Sequence, residues 1–279
     1  MMKKYLRTII CLLAALAIAA PQASAIKKLT KEKPDLEKIR QETLDPQSPY
    51  YFPTLRNKYL TNDTLMSPEE YRNYYLGYMF QEDYDPYRES VYAERTDSLL
   101  QLNREKNARN DSTLRAMAAR KESPYELHHL SDELKSASLK ERREIVKLAD
   151  LALKDNPFDL NTMWLYQLVL KDMNKTMMAK IWDYRLANLL GAIISTGTGL
   201  DKENAFYVTS PEHEYAVLEM MGYRPLEYVD TYFPEGYDYI TVEPIDPARK
   251  NSSTPKGFFF NVKKPLEEYA RKHPDEIEQ

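Results

Sequence analysis

Glycine is confined to one end of this chain. Six of its seven glycines (Gly191, Gly197, Gly199, Gly222, Gly236 and Gly257) lie at or beyond position 191, and Gly77 alone precedes them. Glycine is the residue that admits tight turns and positive φ at little cost. The chain before about 190 is therefore suited to helices joined by short polar links, and tight backbone geometry belongs to the C-terminal third. The changeover falls at 194–215, Ile-Ser-Thr-Gly-Thr-Gly-Leu-Asp-Lys-Glu-Asn-Ala-Phe-Tyr-Val-Thr-Ser-Pro-Glu-His-Glu-Tyr, where an apolar period near 3.6 gives way to short runs. The pattern predicts an α+β fold, a mainly helical N-terminal and central part packed with a small C-terminal antiparallel sheet.

The N-terminus predicts export. Lys3, Lys4 and Arg7 form a basic lead, residues 9–20 form an apolar run, and Ala23-Ser24-Ala25 supplies the small residues of a cleavage site. That run is short for a bilayer span, so residues 1–25 read as a signal peptide and the mature protein has no transmembrane anchor. Cys11 lies within the leader, ahead of most of the apolar run and behind two isoleucines, which does not suit a lipid anchor. It is the only cysteine, so cleavage leaves a chain without disulfides or thiol chemistry. Losing three basic residues from 39, against 43 acidic ones, takes the formal net charge from −4 to −7. Mild acidity gives no footprint for nucleic acid. The expected location is outside the cytoplasm.

The mature chain divides into an extended lead-in over 26–66, a helical region over 67–195 and a small α+β region over 196–279, integrated with the helices. Pro34 and Asp35 open a short helix, and Pro46, Pro49 and Pro53 predict an extended stretch around Tyr50, Tyr51 and Phe52. Ser67-Pro68-Glu69-Glu70 is the clearest helix start, a serine cap followed by proline and a capping-box glutamate. Tyr71, Tyr74, Tyr75 and Tyr78 come next at i, i+3, i+4 and i+7, placing four phenols on one stripe. Such a stripe either packs on a neighbouring helix with its hydroxyls at the solvent edge or lines a binding surface. Residues 103–123 are basic, a linker or solvated helix. Helices are predicted over 139–154, 160–171 and about 175–190, the last carrying Met177, Ile181, Tyr184 and Leu189. The join Ala152-Leu-Lys-Asp-Asn-Pro-Phe-Asp159 before a tryptophan-bearing helix resembles the link between tetratricopeptide repeats, and it occurs once.

Past Gly199, residues 205–208, 237–242 and 257–262 read as strands, and Ser210-Pro211-Glu212 as the start of a helix through Met221. Thr196-Gly197-Thr198-Gly199 is followed by a strand where a phosphate loop needs a helix, so it reads as a turn from helix to sheet. His213, Glu214 and Tyr215 form the best-placed histidine cluster, but Val217 stands where a zinc-protease motif needs a second histidine. His128 and His129 are adjacent and diverge on a helix. No cofactor or metal is implied. No serine elbow is present, and no particular carboxylate pair is nominated for glycoside chemistry.

Asp63-Thr64-Leu65, Glu69-Glu70-Tyr71, Tyr75-Leu76-Gly77-Tyr78 and Tyr84-Asp85-Pro86-Tyr87 together resemble an uncharacterised family of exported Bacteroidetes proteins, a domain of unknown function. Asn156-Pro157-Phe158-Asp159, Thr196-Gly197-Thr198-Gly199, Ala205-Phe206, His213-Glu214-Tyr215 and Tyr237-Asp238 continue the resemblance over most of the mature chain. It implies no catalytic residues, and together with the export signal it makes the expected location the periplasm or outer surface of a Gram-negative cell. In such a host, Asp63-Thr64-Leu65, Asp97-Ser98-Leu99 and Asp111-Ser112-Thr113 resemble periplasmic O-glycosylation acceptors.

The leading reading is a non-enzymatic envelope protein that binds a protein, peptide or glycan through an aromatic-lined groove. Tyr74, Tyr75, Tyr78, Tyr207, His213, Glu214 and Tyr215 are the candidate binding residues. The competing reading is a carboxylate-dependent hydrolase with His213 or Glu214 as acid/base, which requires both to face a cleft with another carboxylate. A third is a purely structural role in assembly.

Overall fold

Ser67 opens the helix around which the others collect. Its hydroxyl accepts the Glu70 N–H at 3.1 Å and its own N–H donates to the Glu70 carboxylate at 2.6 Å, the reciprocal cap predicted from the sequence. The computed structural model describes residues 31–87, 90–110, 134, 137–229 and 235–274. Among these, helices α1 (Leu36–Leu44), α2 (Phe52–Leu60), α3 (Pro68–Gly77), α4 (Val91–Asn110), α5 (Leu139–Asp155), α6 (Leu160–Asp172) and α7 (Thr176–Ile194) precede the strands. Strand β1 (Phe206–Tyr207), α8 (Glu212–Met220), β2 (Tyr223–Val229), β3 (Tyr237–Pro244), β4 (Gly257–Asn261) and α9 (Lys263–Lys272) complete the order. The fold is α+β. The signal sequence, the pair His128 and His129, and most of the basic stretch lie outside the described residues.

Several helix boundaries come from local chemistry. Asp35 caps α1 by accepting the Lys38 N–H, Asp159 caps α6 through Thr162, and Ser138 with Glu141 builds a second capping box at α5. The stretch expected to be extended around Pro53 enters α2 instead, because proline in the first helical turn has no N–H to satisfy. Consecutive helices pack as neighbours, α5 on α6 and α6 on α7, and α7 also packs on α3.

The sheet order is β1-β4-β3-β2. It is mixed rather than wholly antiparallel, since β1 runs parallel to β4 while the other pairs are antiparallel. Strand β2 has no counterpart in the sequence expectation because Pro225 lies inside it. An edge position removes that obstacle: proline's missing donor is not needed on the outer side, and the register shifts between Pro225 and Glu227.

The glycine pair joins helix to sheet as expected. Gly199 has φ +70°, and the Thr198 and Gly199 N–H groups both donate to the Asn204 carbonyl at 2.9 and 2.7 Å. The Gly199 carbonyl then accepts from Phe259 in β4 at 2.7 Å. Because these donors close the chain on itself, they are not aimed outward as a phosphate cradle.

Candidate functional site

The tyrosine stripe folds inward. Tyr74 and Tyr75 are 0 % exposed, and the hydroxyls predicted to reach the solvent edge are buried with their rings. Tyr74 sits among Phe52, Tyr59 and Phe158 with ring centroids 5.2, 5.0 and 4.8 Å away, and its hydroxyl has no hydrogen-bond partner. Tyr78 is half-buried against Phe52, Tyr84 and Phe158. Helix α3 can bury so many phenols because successive faces meet α1, α2 and α7.

Tyr75 and His213 do converge. The Tyr75 hydroxyl donates to His213 Nδ1 at 2.7 Å and accepts the Thr209 N–H at 3.0 Å. The imidazole also bonds the Phe158 backbone, so a neutral ring with its proton on Nε2 uses both nitrogens. Tyr84 donates to the Thr209 carbonyl at 2.7 Å, leaving Thr209 gripped on both backbone groups by tyrosines from the helical region. Burial pushes His213 down to about 4, and it pushes the Tyr75 and Tyr84 phenols up. The Ser210 hydroxyl, expected to start α8, donates to the Pro86 carbonyl instead. These groups form the seam between the helices and the C-terminal region.

Glu214 points to a different neighbour. It is buried in the first turn of α8, and its carboxyl hydrogen-bonds Asp238 of β3. Burial, then the Asp238 charge and that bond, hold Glu214 protonated well above the ordinary carboxylate range. Its Oε1 is buried without a partner. The Tyr87 phenol, raised by its own burial and then by both carboxyls, lies beside the pair. Tyr207 is buried on β1, its N–H donating to Thr196 Oγ1 at 2.9 Å and its phenol pushed up to about 12 by burial. Tyr215 is half-buried against the core.

His213 and Glu214 thus occupy one turn but serve separate bonded pairs, and both are buried. Acid/base work on a bound substrate requires access that this geometry lacks. Among the described residues no three His, Cys, Asp or Glu side chains are arranged to hold a metal ion, and no helix is long and apolar enough to cross a membrane.

Two surface features were not anticipated from the sequence. One is a cleft of about 350 Å³ lined by Tyr223, Pro244, Arg249, Asn251, Ser253, Thr254 and Pro255. Arg249 packs over the Gly222 backbone with its guanidinium 6.0 Å from the Tyr223 ring centroid. The other is the outer face of α7, where Met177 is 72 %, Ile181 38 % and Tyr184 37 % exposed. Of the four α7 residues singled out from the sequence, only Leu189 is buried. The signal lay in the helix being apolar on every side, since Ala179, Leu186, Leu189 and Ile193 already fill its core face.

A family model described as a domain of unknown function, DUF4919, matches residues 37–135 and 121–271. No curated protein and no solved structure matches the chain.

Proposed function

The chain belongs to the DUF4919 family, and from that premise we propose that it is a non-catalytic binding or assembly module of the cell envelope that docks another polypeptide on the outer face of α7. The observation that carries this reading is the uncovered apolar surface formed by Met177, Met178, Ile181 and Tyr184 with Leu60 and Leu65, the last 88 % exposed. The two parts of the patch adjoin: the Tyr184 hydroxyl donates to the Thr64 carbonyl at 3.3 Å, and Arg185 donates to the Tyr59 and Leu60 carbonyls. Contiguous apolar patches of this kind mark interaction surfaces. The internal bonding of Tyr75, His213 and Glu214 supports a structural assignment for the residues with catalytic potential.

A photo-crosslinking amino acid at position 181 tests the reading in the native host. A discrete adduct from position 181, with none from exposed Lys147 on α5, is the expected outcome; equal labelling from both positions overturns it.

A second reading is favoured by Arg249. No acidic residue among the described ones pairs with its guanidinium, and it flanks a cleft carrying an aromatic ring, an amide and two hydroxyls. That set suits a carboxylate-bearing sugar, with the ring as platform and the guanidinium taking the acid group.

A further inference from the structure

We propose that the occupant of the α7 face is a second copy of this chain, the two α7 helices lying antiparallel about a two-fold axis at Tyr184, with Met177 of each seated over Gly191 of the other. This rests on the reading of that face as a docking surface and goes further by naming what covers it.

At about 100° per residue, Met177, Ile181, Tyr184, Asn188 and Gly191 fall within an arc of about 80° and span about 21 Å of helix. Core-facing Leu186, Leu189 and Ile193 lie on the opposite side. The stripe is flanked by α6, where Lys171 pairs with Asp183, and by the α2 and α3 side, where Tyr71 meets Tyr184 edge-on. No ionic side chain stands in the stripe, and exposed Lys180 borders it on the α6 side. An apolar centre with a charged margin is the anatomy of a protein interface.

Gly191 is the informative residue. Glycine inside a helix costs about 0.5–1 kcal/mol relative to alanine, and among the described residues nothing beyond its own helix backbone lies within 4 Å of the position its Cβ would take. Intramolecular packing therefore gives no reason for it. A glycine on an exposed helix face leaves a notch where a second backbone or a long side chain approaches closely.

The chain carries a group of matching shape on the same stripe. Met177 is unbranched and adaptable, extends outward at 72 % exposure, and stands seven residues before Tyr184, as Gly191 stands seven after it. A two-fold axis at Tyr184 running the helices antiparallel brings each Met177 to the other copy's Gly191 and each Ile181 towards the other's half-buried Ala187. Isologous pairing requires such self-complementarity. A parallel pairing in register sets methionine against methionine and leaves both notches empty.

The area is adequate. Six side chains (Leu60, Leu65, Met177, Met178, Ile181 and Tyr184), each offering on the order of 100 Å², make roughly 600 Å² per copy before their neighbours are added. A specific interface uses about 800 Å² per partner, and the largest apolar patch on a typical monomer reaches about 300–600 Å².

The test uses the full chain with Cys11→Ser, so that introduced thiols are the only ones. Sedimentation over a wide concentration range is expected to show a monomer–dimer equilibrium, with Met177→Glu and Gly191→Phe each weakening it about tenfold or more. A Cβ at position 191 meets no described neighbour within the monomer, and an unchanged circular dichroism spectrum for Gly191→Phe separates lost association from lost folding. Under mild oxidation, Met177→Cys and Gly191→Cys copies are expected to form disulfides when mixed and not when alone. Disulfides from Met177→Cys alone mean parallel packing and overturn the proposal. A monomer at all concentrations, with a position 181 adduct to a different protein in the native host, overturns the second copy and leaves the docking surface standing. A monomer with no such adduct removes both.

Discussion

Tyr75 and His213, 138 residues apart in sequence, share a 2.7 Å hydrogen bond between two buried side chains. Tyr74, the preceding residue, is as buried as Tyr75 and bonds nothing through its hydroxyl. Two adjacent phenols in one core therefore differ in what their oxygens meet.

Substitution with phenylalanine separates them. Tyr75→Phe strands the Thr209 N–H, leaves His213 Nδ1 only the Thr209 hydroxyl at 3.4 Å, and is expected to cost about 1–3 kcal/mol, whereas Tyr74→Phe removes an oxygen that satisfies nothing and is expected to be neutral or stabilising. Chemical denaturation of both variants measures the difference; equal losses remove the distinction.

His213 sets the acid limb of stability. The unfolded imidazole takes a proton below about 6.5, while the folded one refuses it until about 4, so the unfolded state binds more protons across that window and stability falls as pH drops through it. The full effect amounts to about 3 kcal/mol. His213→Gln is expected to flatten this limb in urea titrations repeated at each pH, and an unchanged slope refutes the assignment.

Glu214 sets the opposite limb. Its proton is held in the fold well above the usual carboxylate range, so this contribution is complete at acid pH and is lost as pH rises through the folded value, when two charged carboxyls face each other between α8 and β3. Glu214→Gln retains a donor for Asp238 and is expected to melt higher than the parent at alkaline pH. Parallel melting curves for the two proteins across neutral to alkaline pH contradict the shared-proton arrangement.

At the cleft beside β2, Arg249→Ala is expected to reduce binding of uronic-acid oligosaccharides about tenfold or more, and to leave any binding of neutral sugars unchanged. Calorimetric titration with both ligand types checks this, and identical affinities for parent and variant end the acidic-sugar reading.

Local chemistry in this chain was legible and long-range chemistry was not. Ser67 and Glu70 announce their helix because both partners of the cap lie within four residues, and Gly199 announces its turn because φ is a property of one residue. The fate of Tyr74 and Tyr75 depends on α2, on Phe158 and on α8, none of which a period of 3.6 can bring together. Periodicity states which residues share a face, not whether the fold covers that face; Met177, Ile181 and Tyr184 keep the same spacing as the α3 tyrosines and end outside. Asp238 was invisible as the partner of Glu214 because the bond runs from helix to strand. Pro225 masked β2 because proline argues against a strand until the strand is known to lie at an edge.

That edge has a further consequence. One border of the sheet is β1, only two residues long, and the other is β2, interrupted by a proline and an irregular register. Neither margin offers a stranger's backbone a regular ladder to extend. Among the described residues, both backbone margins of the sheet are therefore poor templates for the addition of a further strand.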